Sequence, residues 1–311
     1  MSGRPALVAC DLDGTLLDGD GAPLAGVSEA LAGLTSAGVE VVICTGRSAG
    51  STRTAAARLG LEHGVAIAYH GAVFVDLAGG RWVRRFDLPR QAVGPLVAAL
   101  HEAGATLTAY VDDERWVQGE PGGAGDSGSA GVPAAADRGS ADDSGRAPAG
   151  PGAAGVPGSA PAAPRARGDL AVALEGVPVT RLIIEAGAAP GYAPLATVVE
   201  RLAARWPELV VSPAPGGRLE VHRTGADKRT ALATLCEGLR LPAAAVVACG
   251  DGAADAGMLA WAGLGVAIAG GSDAARAAAN VVVAPGELGA FLAGLAAPPA
   301  GRPSGDATVR R

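Results

Sequence analysis

The chain has 311 residues, enough for one large domain or two of ordinary size. Hydrophobic residues make up 49% but aromatics only 3%, so a core has to be built from Val, Leu, Ile and Ala. A net charge of −6 and a pI near 5.3 argue against nucleic acid or an anionic membrane as the main partner, because affinity for phosphate backbones and acidic headgroups needs clustered Lys and Arg.

The first strand signal is the apolar run at 6–10, which ends in Cys10-Asp11-Leu12-Asp13-Gly14-Thr15. The run is too short for a secretory signal and is stopped by Asp11. A helix is expected near 27–37, then a strand at 39–44 running into Thr45-Gly46-Arg47 and a helix near 50–59. A strand at 65–68 leads to Tyr69-His70-Gly71, and 72–76 with 81–86 read as a hairpin around Leu77-Ala78-Gly79-Gly80. A helix near 89–103 and strands near 106–111 and 115–117 follow.

The segment 119–168 is low in complexity, made of Gly, Ala, Pro, Ser and Asp with almost no large apolar side chain. Such a composition cannot offset its ordering entropy by burial and is expected to be disordered. Beyond it come a strand at 179–185, a helix at 193–206 and strands at 209–212 and 218–222. The pattern then returns to strand, glycine loop and helix. Residues 244–249 lead into Gly250-Asp251-Gly252 and a helix near 254–262, and 264–269 lead into Gly270-Gly271-Ser272 and a helix near 273–279. The long uncharged stretch 256–272 is broken by Gly257, Gly263, Gly265, Gly270 and Gly271, so it reads as helix, turn and buried strand rather than as a membrane span. Cytoplasmic residence is expected. Cys10, Cys44, Cys236 and Cys249 form no CxxC and read as small buried hydrophobes.

Continuous apolar strands alternating with helices imply a parallel sheet covered on both faces, with the ligand beyond the carboxyl ends of the strands. The fold class expected is α/β, a Rossmann-like doubly wound parallel core with an inserted α+β cap domain. The core is assigned to 1–79 and 223–298, the cap to 80–222 and a flexible tail to 299–311.

The polar groups that need explaining all fall at those strand ends. Asp11 and Asp13 stand two residues apart behind a buried strand, and their repulsion calls for a cation. A carboxylate cluster at such an edge suits Mg²⁺. The Thr45 hydroxyl and the amide after it, at a strand-to-helix turn, suit a phosphate oxygen, although a plain helix cap would also explain Thr45. Lys228 is the sole lysine among 25 basic residues, which points to a task that the broad guanidinium of Arg cannot perform. Asp251 and Asp255 follow a buried strand in Gly250-Asp251-Gly252-Ala253-Ala254-Asp255. The glycine spacing there does not fit a dinucleotide loop.

Asp11-Leu12-Asp13-Gly14-Thr15-Leu16-Leu17 resembles the first motif of the haloacid dehalogenase-like hydrolases, most of them Mg²⁺-dependent phosphatases. Thr45-Gly46-Arg47, Asp227-Lys228-Arg229 and Gly250-Asp251-Gly252 through Met258-Leu259 resemble the second, third and fourth motifs of the large-cap, Cof-type branch. They occur in family order, with the inserted unit between the second and third. The segment from Leu219 to Lys228 resembles that branch's return from cap to core.

The resemblance implies Asp11 as nucleophile and Asp13 as the acid and base that serves the leaving alcohol and then the attacking water. It implies Thr45, Gly46, Arg47 and Lys228 at the phosphate, and Asp11, Asp13, Asp251 and Asp255 around Mg²⁺, with Asp255 a ligand or an orienting group. The chain departs from the family at Ala254, His70 and Gly270, where Asn is usual. His70 is either a substrate contact or a plain loop residue. The activity implied is Mg²⁺-dependent hydrolysis of a small phosphorylated metabolite, of sugar phosphate type, through an aspartyl phosphate. A phosphomutase, a phosphatase of narrow specificity and a metabolite-binding protein without turnover are the alternatives.

Overall fold

The computed structural model describes residues 3–118, 163–185, 197, 199, 201, 204–214 and 217–297. Its first sheet is parallel throughout and is ordered β14-β13-β12-β1-β2. These strands are β1 (Leu7–Cys10), β2 (Glu40–Ile43), β12 (Val246–Gly250), β13 (Leu264–Ile268) and β14 (Val281–Val283).

Buried side chains alternate across this sheet. On β1, Val8 and Cys10 join one apolar layer with Leu31, Leu34, Leu288 and Leu292, while Leu7 and Ala9 join the opposite layer with Leu232, Met258 and Leu259. Helices Val27–Ser36 and Leu288–Ala296 supply the first layer, and helices Lys228–Leu239 and Ala256–Trp261 the second. A strand with both faces covered needs apolar residues at every position, which is why β1 and β12 read as unbroken runs. The four cysteines are all buried and unbridged, as their apolar settings suggested.

β3 (Val65–Ala68) continues the core beside β2 through a parallel bridge between Cys44 and Ile67. It opens a small antiparallel sheet with β4 (Val73–Asp76) and β5 (Trp82–Arg85). The boundary drawn from sequence at 79/80 therefore falls in the turn of the β4–β5 hairpin.

The inserted region forms a separate six-stranded sheet, ordered β10-β11-β9-β6-β7-β8. Its strands are β6 (Thr106–Val111), β7 (Glu114–Gln118), β8 (Arg165–Arg167), β9 (Arg181–Glu185), β10 (Leu209–Ala214) and β11 (Arg218–Arg223). Helix Arg90–Glu102 lays Val93, Leu96, Val97 and Leu100 into an apolar layer with Leu107, Leu182, Ile184 and Val221. Positions three and four apart share one helix face, so this stripe marks the buried side.

β8 lies inside the segment that composition assigned to disorder; residues 119–162 of that segment lie outside the described residues. Composition missed β8 because its anchors are not apolar runs. The Arg167 guanidinium stacks 3.9 Å above the Trp116 ring, and Gln118 bonds to both Gly168 O (2.5 Å) and Leu170 N (3.0 Å). The tail at 299–311 and most of the helix expected at 193–206 also lie outside the described residues.

Candidate active site

The strand ends β1, β2 and β12 bring the sequence motifs to one edge of the parallel sheet. After β1 the chain folds back on Leu12, whose carbonyl accepts from the amides of Thr15, Leu16 and Leu17. That turn needs Gly14 at φ +75°, and a Cβ there would collide with the Asp251 carboxylate. The glycine thus lets the first and fourth motifs touch, and Thr15 Oγ1 donates to Asp251 Oδ1 at 3.1 Å.

Lys228 opens helix Lys228–Leu239, whose cap is the Asp227 side chain accepting from Thr230 N at 2.9 Å. Its ammonium is buried between two carboxylates, 2.7 Å from Asp11 Oδ1 and 2.6 Å from Asp255 Oδ1. Asp255 Oδ2 accepts from the amides of Gly252 (2.9 Å) and Asp251 (3.2 Å), so this carboxylate also shapes the fourth-motif loop. One oxygen from each of Asp11, Asp251 and Asp255 lies within 4.8 Å of the others, a donor set that could hold a metal ion.

The charges support that fit. Three carboxylates face a single ammonium. Burial lifts the Asp11 carboxyl well above its ordinary range, and Asp255 and Asp251 add to this while Lys228 opposes it. Burial and Asp255 push Asp251 up to about 6. Burial alone would lower the Lys228 ammonium, but Asp11 and Asp255 outweigh it and hold it charged. The cluster carries excess negative charge that a hard divalent cation would neutralise.

Asp13, expected as a fourth carboxylate around the cation, stands apart from this group. Its two oxygens are gripped by the Arg47 guanidinium, with Nε at 2.9 Å from Oδ2 and Nη2 on Oδ1. Arg47, expected at the phosphate, therefore meets Asp13 with a two-pronged grip that fixes the direction of the carboxylate. Thr45 is not the cap of the following helix, because Ser48 takes that place and accepts from Ser51 N. The Thr45 hydroxyl instead accepts from Arg47 N at 3.2 Å, and its backbone is tied to Ile67 O and His70 N. The second-motif loop is held from both sides.

His70 sits against this loop. A Cβ on Gly46 would strike its ring, so Gly46 is required for the close approach. Burial lowers His70 to about 4 from the ordinary 6.5, with Lys228 and Arg181 lowering it further and Glu220 opposing. The ring is neutral in the folded protein, whereas the unfolded chain takes up a proton below 6.5. The folded state is therefore penalised as pH falls from 6.5 toward 4, by roughly 2 kcal/mol near pH 5. Urea unfolding near neutral pH and near pH 5 should show a smaller acid loss in His70→Asn than in wild type, by about that amount.

Arg181, Glu220 and Asp113, all from the cap, also reach the site and were not expected there. Arg181 Nη1 donates to Gly46 O at 3.1 Å, and its guanidinium lies 4.8 and 4.3 Å from the Tyr69 and Tyr110 ring centres. Glu220 is buried beside it, with Oε1 3.5 Å from Nη1. Asp113 reaches back to the amides of Ala49 (2.8 Å) and Gly50 (2.6 Å) and to the Tyr69 hydroxyl (2.6 Å). The one signal available was a charged residue at the mouth of an apolar strand, Arg181 ahead of Leu182-Ile183-Ile184. Among the described residues, no helix is long and apolar enough to cross a membrane.

Comparison with known proteins agrees with this architecture. The sequence model of haloacid dehalogenase-like hydrolases matches residues 8–139 and 192–289. A phosphoglycolate phosphatase from Pyrobaculum neutrophilum is 41% identical over 93 residues, a match spanning 30% of this chain and 40% of that protein. A haloacid dehalogenase-like hydrolase from Bacteroides thetaiotaomicron superposes with a TM-score of 0.71 at 20% identity, covering 94% of this chain and 98% of its own. A HAD subclass IIB sugar phosphatase superposes with a TM-score of 0.63 at 16% identity, covering 90% and 94%. With the family pattern matched over most of its length and the four motifs meeting at one sheet edge, the chain belongs to the haloacid dehalogenase-like hydrolases.

Proposed function

We propose that this protein hydrolyses a small phosphomonoester, of sugar phosphate type, through a phosphoryl group carried on Asp11. The observation that carries this reading is the buried ammonium of Lys228 bridging Asp11 and Asp255 at 2.7 and 2.6 Å beside Asp251. The names of the sugar phosphatase and phosphoglycolate phosphatase among its relatives support a phosphorylated small molecule as substrate.

Asp11, Asp251 and Asp255 would hold Mg²⁺, which when bound neutralises charge on the phosphate and on the acids around it. Lys228 engages Oδ1 of Asp11 and leaves the other carboxylate oxygen to attack phosphorus. The new bond is the Asp11 acyl phosphate, and the bond that breaks joins phosphorus to the leaving oxygen. The Thr45 hydroxyl and the Gly46 amide take the non-bridging oxygens as they become equatorial. Asp13, placed by Arg47, takes up a proton on an oxygen that the guanidinium releases and gives it to the leaving oxygen. It then takes one from the water that attacks phosphorus, releasing inorganic phosphate and restoring Asp11.

Two results are expected. Chelation should abolish release of phosphate from an aryl phosphate, and added Mg²⁺ should restore it. Asp13→Asn should slow hydrolysis of an alkyl phosphate by about 10³-fold but that of a nitrophenyl phosphate far less, because nitrophenolate leaves without a proton. Equal losses in kcat/KM, which the later water step does not enter, would remove Asp13 from protonation of the leaving oxygen.

A further inference from the structure

Next to the phosphate-handling loop, two polar side chains from different domains face each other. His70 comes from the core, next to Thr45 and Gly46, and Glu220 from β11 of the cap. Their facing atoms, His70 Nε2 and Glu220 Oε2, are 3.9 Å apart, too far for a hydrogen bond. His70 Nδ1 is buried and has no hydrogen-bond partner among the described residues. A buried N–H without a partner costs more than a bare lone pair, which puts the proton of the neutral ring on Nε2, toward the gap.

Glu220 is ionised. Burial alone would raise its carboxyl, but Arg181, paired with it and donating to it, outweighs this and holds it below the ordinary range. Arg181 Nη1 pairs with the other carboxylate oxygen, Glu220 Oε1, at 3.5 Å, which leaves Oε2 toward the gap. Arg181 is 4% exposed, lies against two tyrosine rings and donates to Gly46 O. The gap therefore offers one donor and one charged acceptor. An oxygen about 2.8 Å from each atom closes a triangle on the 3.9 Å base. A hydroxyl fills it, accepting from His70 and donating to Glu220. A carboxylate or second phosphate satisfies only His70 and meets Glu220 with like charge.

We infer that His70 and Glu220 form a subsite that reads a hydroxyl on the leaving group, and that Glu220 turns away phosphomonoesters carrying a second negative charge there. This rests on the phosphatase reading above, and it separates the protein from the phosphoglycolate activity named for its archaeal relative.

The test uses two phosphates of equal length, 2-hydroxyethyl phosphate and phosphoglycolate, which differ by a CH₂OH in place of a carboxylate. Each competes against hydrolysis of an aryl phosphate by the Mg²⁺-loaded full chain, and the competition constants are compared. In wild type 2-hydroxyethyl phosphate is expected to compete at least about tenfold better, the scale of a like-charge contact only partly screened. Glu220→Gln should shrink that ratio about tenfold, mainly by improving phosphoglycolate, and Glu220→Asp, which keeps the charge but withdraws it, should fall between.

Equal or stronger competition by phosphoglycolate in wild type overturns the subsite without any variant. A ratio unchanged in folded Glu220→Gln overturns the role of Glu220. Absence of Asp11-dependent aryl phosphate hydrolysis overturns instead the phosphatase reading and, with it, the subsite.

Discussion

Asp11→Asn is expected to lower turnover by 10⁴-fold or more, on the order of the losses seen when a nucleophile is removed. Asn is nearly isosteric, and its amide oxygen still accepts from the Lys228 ammonium, so the pocket keeps its shape. The stability effect runs the other way. In wild type the buried Asp11 carboxyl is held well above its ordinary range by burial and by Asp255 and Asp251. A group raised in the fold stabilises it at low pH and loses that contribution as pH rises, so ionised Asp11 burdens the metal-free protein near neutrality. Chelated Asp11→Asn should melt at the same temperature as chelated wild type or above it. Added Mg²⁺ should raise the melting temperature of wild type more than that of the variant. An inactive variant that also melts far below wild type would mean that Asp11 is lost as a structural group.

Lys228→Met carries the second large effect, and here activity and stability fall together. Its side chain is 1% exposed, and its ammonium is shared by Asp11 and Asp255. Met fills similar volume but leaves two buried carboxylates without their cation, which costs about 3–5 kcal/mol. Turnover should drop by at least about 10²-fold because the nucleophile loses the group that aims it. Lys228→Arg separates charge from shape. It should recover part of the stability, yet stay well below wild type in turnover, because a planar guanidinium cannot sit at 2.6–2.7 Å from both oxygens in the space of one nitrogen. Full activity in the Arg variant would refute the geometric explanation for the single lysine.

The sequence made the parallel core readable for a physical reason. β1 and β12 are covered on both faces, so every position is apolar and the runs stand out. The acids, threonine and lysine at their ends stood out because such groups rarely follow a buried strand without a task. Local spacing could not show which side chains meet. The Arg47 grip on Asp13 depends on how two loops face each other across the sheet edge. Arg181 reaches Gly46 over 135 residues, and Asp113 reaches Ala49 over 64, and both contacts exist only because the cap sheet lies against the core. β8 escaped because a strand held by an arginine on a tryptophan has no apolar pattern to read. His70 was visible as a departure from the family pattern, but its partner Glu220 came from a different domain.

The central claim is that phosphate passes through Asp11. Its most direct test is a single-turnover reaction of the Mg²⁺-loaded protein, quenched in acid within the turnover time and digested for peptide mass analysis. Phosphoryl mass on the peptide carrying Asp11, rising and decaying with turnover and missing in Asp11→Asn, is the expected result. Turnover with no phosphoryl group on that peptide at any time, or with the group on another side chain, would contradict it.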